Sequence, residues 1–291
     1  MIVLTGTTGQ IGSVVLRTLL EGGHDIRVVV RNAQRLPGDL RTRVDVVEGS
    51  HADRAVVDRA LDGADALFWL PPSQPTAASP YEAYVATAIP AADAVVRHGV
   101  RRVVTVSALG QEVQTYSGHV SASHAMDDLF RSTGADVRVL ANPTFMDNLL
   151  RQKDGIRQGM VTGTVPSDLR MPWVATRDIG AVAAEVLGDP TWTGQQVVPV
   201  MGPEDLSYDD IVAVLTEVLG RPIRFSPGDR AADVEMMVGF GMSRAMAESA
   251  MAMDLAAEHG LNNAAERTPQ NATPTTFREF AETVLKPAVQ E

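Results

Sequence analysis

Short runs rich in Val, Ile and Leu recur through the first half of the chain. They lie at Ile2–Thr5, Ile26–Val30, Val44–Val47, Ala66–Leu70, Val103–Val106 and Val137–Leu140, each bounded by glycine, proline or charge. A run that is apolar at successive positions is buried on both faces, as strands of a parallel sheet are. Between these runs the apolar residues fall at helical spacing, over Ile11–Glu21, Arg54–Leu61, Pro80–His98 and Ala122–Ser132. Such alternation predicts a parallel sheet with helices on both faces. Gly22-Gly23 and Gly134 read as helix stops, and Asp53 reads as the cap of the helix opening at Arg54.

After Pro143 the pattern loosens, broken by Gly155, Gly159, Gly163, Pro166 and Pro172. The run from Val174 to Gly180 leads into a helix reaching about Leu187, and Val197–Val200 reads as a further strand. Leu206–Leu219 is strongly amphipathic, with Ser207 placed to cap it and Gly220 to end it. Residues 231–262 form a helical stretch rich in methionine, which packs short helices or forms an adaptable apolar wall. Thr275–Val289 predicts a last helix.

Composition narrows the function. Lys+Arg number 25 against 36 Asp+Glu, a net charge of −11, which argues against a nucleic-acid binder that neutralises phosphates. With no cysteine, disulfides, thiolate nucleophiles and thiolate metal sites are excluded together. The opening Met1-Ile2-Val3-Leu4 lacks the charged start of a signal peptide, and no apolar run approaches the ~18 residues that span a bilayer. The expectation is a soluble cytoplasmic protein with no membrane partner.

The strongest chemical signal is Gly6-Thr7-Thr8-Gly9-Gln10-Ile11-Gly12, directly after the first strand and opening the first helix. In that context one glycine permits the tight turn, one lets backbone approach a pyrophosphate, and one lets helix pack on strand. The helix N-terminus then holds the phosphates. Gly6, Thr8, Gly9, Gln10, Ile11 and Gly12 are therefore candidate cofactor contacts. Leu70 and Pro71, which close the fourth strand, join them. In NAD binders an acidic residue about 20 positions further on accepts from the ribose 2′-OH. This chain has Arg31 there, nineteen residues beyond Gly12, followed by Asn32. A guanidinium suits a 2′-phosphate, so the expected cofactor is NADP(H). The fold class that follows is α/β, a Rossmann-type doubly wound parallel sheet with a smaller α/β C-terminal domain.

Taken together, Thr5 to Gly12, Val30-Arg31-Asn32, Ser107-Ala108-Leu109-Gly110, Asn142 to Asn148, Trp173 to Ile179, Gly202-Pro203-Glu204 and Pro274 to Phe280 resemble the atypical short-chain dehydrogenases/reductases. Within them the resemblance is to the NmrA-like and NAD(P)H:quinone oxidoreductase-like group, over nearly the whole chain. It implies an NADP(H)-binding domain at residues 1–150, with 174–200 returning to it, and a substrate domain at 151–291, the substrate lying in a cleft between the two. Members include reductases for quinones and aromatic ketones, and redox sensors with no catalysis. The chain departs from the superfamily in lacking Tyr-x-x-x-Lys. The Tyr-like position falls at His119 and the Lys-like position at Ser123, or at His124 if the alignment slips by one. Asn142 stands where Arg is usual, and Ser50 where Asp is usual.

Hydride transfer belongs to the nicotinamide, and the protein supplies orientation and any proton. His119 and His124, after the fifth strand, are candidate proton donors, with Tyr116 a second choice. Ser107 is expected to line the nicotinamide pocket, as the family's strand-five Ser does. A metal pair of the two histidines is rejected on spacing, and a serine hydrolase on the absence of Gly-x-Ser-x-Gly. The sequence thus points to an NADPH-dependent oxidoreductase acting on a quinone or an aromatic or polyketide-like carbonyl. The partner is a small molecule, and the chain is a monomer or homodimer. The alternative is a catalytically silent NADP(H) sensor that binds a partner protein.

Overall fold

The computed structural model describes residues 1–290. Seven strands form the main sheet: β1 (Ile2–Leu4), β2 (Ile26–Val30), β3 (Asp45–Glu48), β4 (Ala66–Trp69), β5 (Arg102–Ala108), β6 (Asp136–Asn142) and β7 (Gln195–Pro199). Their spatial order is β7-β6-β5-β4-β1-β2-β3. The pairs β1–β2, β2–β3, β1–β4 and β4–β5 all run parallel. All six strands read from the first half of the chain are present; five carry Val, Ile or Leu buried on both faces, while β3, at the edge, is only partly buried. Val3, Leu4, Phe68, Val103 and Val104 are each fully buried. Strand order reverses between β1 and β4, the switch point at which ligands of such sheets bind, outside the carboxyl ends of the strands.

The helices that serve this sheet are α1 (Gln10–Glu21), α2 (Arg54–Leu61), α3 (Thr87–His98), α4 (His119–Arg131) and α5 (Thr176–Gly188). Asp53 caps α2, accepting from the Ala55 and Val56 amides. The segment read as one helix from Pro80 differs: a widened π turn at Glu82–Ala86 precedes α3, and Pro90 lies inside α3. Proline has no N–H to give the carbonyl four residues back, and a widened turn absorbs that defect.

Contacts divide the chain into two compact units. The first comprises residues 1–108, 120–141 and 179–198, and the second residues 109–119, 142–178 and 199–291. The second unit holds a three-stranded sheet of Asp205–Leu206, Met171–Val174 and Thr144–Phe145, and a parallel pair of Arg224–Pro227 with Met160–Gly163. Its helices are α6 (Tyr208–Leu219), α7 (Arg230–Gly239) and α8 (Arg244–Glu258), followed by helical turns over residues 277–290. Met146, Ile156, Trp173, Ile211, Leu215, Phe277 and Phe280 make its core. Trp173 donates its indole N–H to the Leu206 carbonyl at 2.9 Å.

Two readings are corrected here. The helix expected from Leu206 starts at Tyr208, because Ser207 and Asp210 form a reciprocal capping box that fixes its first turn. The methionine-rich stretch is two short helices, as one of its two readings had it, parted at Phe240-Gly241-Met242-Ser243, where Gly241 has φ +92° and Ser243 caps α8. Pro172 lies within a strand rather than ending one. Among the described residues no helix is long and apolar enough to cross a membrane.

Candidate functional site

Leu4 ends β1, and the chain turns through Gly6 and Gly9 into α1. Gly6 has φ +68°, a conformation that costs a residue with a side chain strain. A Cβ there would also meet the Leu70 side chain at 2.9 Å. Thr5 ties the turn to the end of β4: its hydroxyl donates to the Phe68 and Leu70 carbonyls and accepts from the Leu70 amide at 2.8 Å. Leu70 thus packs on the glycine turn, at the switch point of the sheet. The last glycine is the most constrained. A Cβ on Gly12 would lie 2.3 Å from the Gly6 carbonyl oxygen, so only glycine lets α1 start this close to the turn.

The start of α1 is open to a ligand. Gly9 stands at the N-cap with no side-chain hydrogen bond, and the first turn carries no acidic residue. The positive end of the helix and its unpaired amides therefore face outward, the arrangement that binds phosphate. Thr8, Gly9 and Gln10 are exposed there. Beneath them Thr7 is buried, and its Oγ1 has no hydrogen-bond partner. The cradle that only glycine leaves, the uncapped helix and the orphaned hydroxyl all fit a dinucleotide pyrophosphate.

Arg31 follows β2 directly, is exposed, and forms no ion pair among the described residues. Asn32 is committed locally: its Oδ1 accepts from the Gln34 amide at 2.8 Å and opens a single helical turn. Glu48, at the end of β3, accepts from the Ala33 amide at 3.0 Å. His51 is buried beyond β3, edge-on to Trp69 with ring centroids 6.1 Å apart. Burial, and then the charge of Arg31, push its pKa down to about 4. His51 is therefore neutral at physiological pH.

A second cluster forms where α4 packs along β5. Residues 105 and 107 project to one face of the strand, and residues 123 and 127 lie one turn apart on the helix. The Ser107 and Ser123 hydroxyls are 2.9 Å apart. Thr105 donates to Asp127 Oδ1 at 2.7 Å, and the Ser107 hydroxyl also hydrogen-bonds the Asp127 carboxyl group. Thr105 and Asp127 are completely buried, while Ser107 and Ser123 keep a small exposed surface. Burial pushes the Asp127 pKa up to about 6, against the lowering effect of the two hydroxyls and Arg131.

The two histidines are placed differently. His124 lies beside this cluster, its Nε2 3.1 Å from the Ala108 carbonyl oxygen at the end of β5. His119 is the first residue of α4 and belongs to the second unit, where it hydrogen-bonds the backbone of Met246 in α8. Burial lowers its pKa, offset in part by that hydrogen bond. Tyr116 is exposed. The geometry thus joins Ser107 to Ser123, which sequence reading had only aligned to a lysine position. It adds Thr7, Thr105, His51 and Asp127, which sequence reading passed over. Asp127 carried one usable signal, its place four residues beyond Ser123 on the same helical face. Among the described residues, no group of three or more His, Asp or Glu side chains is arranged to hold a metal ion.

Known proteins resemble this chain along most of its length. The model of the NmrA-like family matches residues 1–281. A (4-alkanoyl-5-oxo-2,5-dihydrofuran-3-yl)methyl phosphate reductase of Streptomyces griseus is 35% identical over 77% of this chain and 76% of its own. An NAD(P)H azoreductase of Xenophilus azovorans is 28% identical over 86% and 84%. Among solved structures, an Escherichia coli NADPH-dependent quinone oxidoreductase complexed with NADPH superposes with a TM-score of 0.81 at 20% identity, over 96% of this chain and 98% of that one. At that identity the likeness establishes the shared fold.

Proposed function

This chain belongs to the NmrA-like family, and from that premise we propose that it is an NADPH-dependent oxidoreductase that reduces a quinone or an aromatic or polyketide-like carbonyl. The observation that carries the reading is the glycine turn, where a Cβ on Gly12 would strike the Gly6 backbone and an uncapped α1 faces outward. Backbone N–H groups of Thr8, Gln10, Ile11 and Gly12 hold the pyrophosphate, with Gly6 and Gly9 giving it room. Leu70 and Pro71 flank the cofactor from the end of β4. Arg31, which forms no ion pair among the described residues, pairs with the 2′-phosphate, and Asn32 fixes the backbone beside it. When bound, the nicotinamide supplies the hydride.

Ser107 and Ser123 then face the reacting end of the cofactor from the carboxyl end of β5. His124 borders them, and His119, neutral and half-buried, is the second donor candidate. A quinone accepts hydride readily, so such a site does not require Tyr-x-x-x-Lys. The Streptomyces and Xenophilus relatives bear the names of reductases, which supports the reaction class. In the same reading, residues 1–150 with 174–200 serve the cofactor, residues 151–291 serve a small-molecule substrate, and the protein works in the cytoplasm.

The test is NADPH oxidation, followed by nicotinamide absorbance, against a panel of quinones, aromatic ketones and azo compounds. Acceptor-dependent loss of NADPH is the expected result. Tight NADP(H) binding with no turnover on any acceptor would overturn the enzyme in favour of a redox sensor.

A further inference from the structure

Asp127 is the one carboxylate buried completely within the β5–α4 cluster, and the reading above gives it no task. Its Oδ1 accepts from Thr105, and the Ser107 hydroxyl hydrogen-bonds the same carboxyl group. Above it lie Ser107 and then Ser123, hydroxyl to hydroxyl at 2.9 Å. We propose that Asp127 is a positioning residue which, acting through Ser107, decides whether the Ser107–Ser123 pair offers a hydrogen-bond donor to the substrate or only acceptors. This rests on the reductase reading of the site.

A proton count supplies the argument. The two serines have two hydroxyl protons between them. With Asp127 ionised, Ser107 gives its proton to the carboxylate, the stronger acceptor. The Ser107–Ser123 contact then takes the proton of Ser123. None remains to point outward. With Asp127 neutral, Ser107 is released to donate to Ser123, and the Ser123 proton is free to point at a substrate oxygen. A carbonyl oxygen gains negative charge as hydride reaches its carbon, so a donor there favours the transition state. The neutral form of Asp127 is thus the active one for a carbonyl substrate.

The surroundings make that form accessible. The charges acting on Asp127 are Arg131, which favours ionisation, and Asp128, which opposes it, both on its own helix. β5 presents the hydroxyls of Thr105 and Ser107, and β4 beyond it ends in the buried Trp69. His124, one turn earlier on α4, is directed to the Ala108 carbonyl. With burial opposing the charge, the carboxyl group titrates at about 6, within the working range of most enzymes.

The experiment is the pH profile of kcat for a carbonyl acceptor, from pH 5 to 8 as roughly the useful range for a group of this kind, in wild type, Asp127→Asn, Ser107→Ala and His119→Ala. Wild-type kcat should fall toward a lower plateau above about pH 6. Asparagine is a neutral isostere, so Asp127→Asn should abolish the inflection, while NADPH affinity stays as in wild type. Ser107→Ala breaks the link from Asp127 to Ser123 and should also lose the inflection. Burial lowers the His119 pKa as well, so His119→Ala separates the two groups and must keep the inflection. An inflection retained in Asp127→Asn, or lost in His119→Ala, overturns the role of Asp127 with the reductase intact. A purely structural Asp127 would shift the melting temperature and leave the profile in place. Absence of turnover on every acceptor tried would overturn the reductase reading, and this role with it.

Discussion

Alanine at Gly9 and at Gly12 should have opposite consequences, although the two glycines sit three residues apart in one turn. A Cβ on Gly12 would lie 2.3 Å from the Gly6 carbonyl oxygen, 2.6 Å from its carbon and 2.9 Å from the Thr7 nitrogen. All three are backbone atoms, so the turn itself must move. Overpacking of that kind costs about 1–3 kcal/mol, and contact with backbone places it at the upper end. For a chain of this size that lowers the melting temperature by roughly 2–4 °C per kcal/mol. Gly9 is different. Its φ is −99°, open to any residue, and its Cβ would approach nothing closer than 3.4 Å. Gly9→Ala should therefore leave stability within about 0.5 kcal/mol of wild type. The added methyl would nevertheless stand where a pyrophosphate approaches the N-terminus of α1. A loss of about 1.4 kcal/mol, or tenfold in NADPH affinity, is the least expected. Thermal melts and calorimetric titration of both variants provide the test. Wild-type NADPH affinity in Gly9→Ala would refute a phosphate at this turn, and an unchanged melt for Gly12→Ala would refute the close packing of α1 on it.

Other outcomes follow from the same geometry. Arg31→Asp should lower the NADPH-to-NADH affinity ratio by roughly 10- to 100-fold, the worth of a charge-assisted hydrogen bond, measured by titration with both cofactors. Asp127 holds its proton up to about pH 6 when folded but loses it near 4 when unfolded. Its contribution to stability therefore falls as pH rises through that window and stays low above it. Asp127→Asn should gain stability relative to wild type above pH 6, by about 3 kcal/mol at most, and the gain should vanish below pH 4, as read by urea denaturation at several pH values. Ser207→Ala removes the acceptor for the Asp210 amide and should cost roughly 0.5–2 kcal/mol of stability, with NADPH binding unaltered.

The sheet was legible because its central strands are buried on both faces, and that requirement writes itself as unbroken Val, Ile and Leu. The glycine turn was legible because its backbone leaves no room for a Cβ, so the constraint falls on residue type at fixed spacing. The β5–α4 cluster was harder. Ser107 stood out as the end of a strand, but its partnership with Ser123 and Asp127 depends on how a helix is rotated against a strand, across sixteen or more residues of sequence. Local pattern does not encode that rotation. The two histidines drew attention because imidazole titrates near neutrality. Yet His119 hydrogen-bonds the Met246 backbone and His124 reaches the Ala108 carbonyl, contacts with residues distant in sequence that local pattern does not encode. His51 and Thr7 escaped notice because an isolated polar residue in a loop carries no sign of its own burial. The break at Phe240-Gly241 escaped because methionine and alanine continue across it on both sides.

The most direct test of the central claim is calorimetric titration of the cofactor-free protein with NADPH and with NADH under identical conditions. The turn at α1 and the exposed Arg31 predict that both bind, NADPH at least about tenfold more tightly. Binding of neither, or equal binding of the two, would contradict the account.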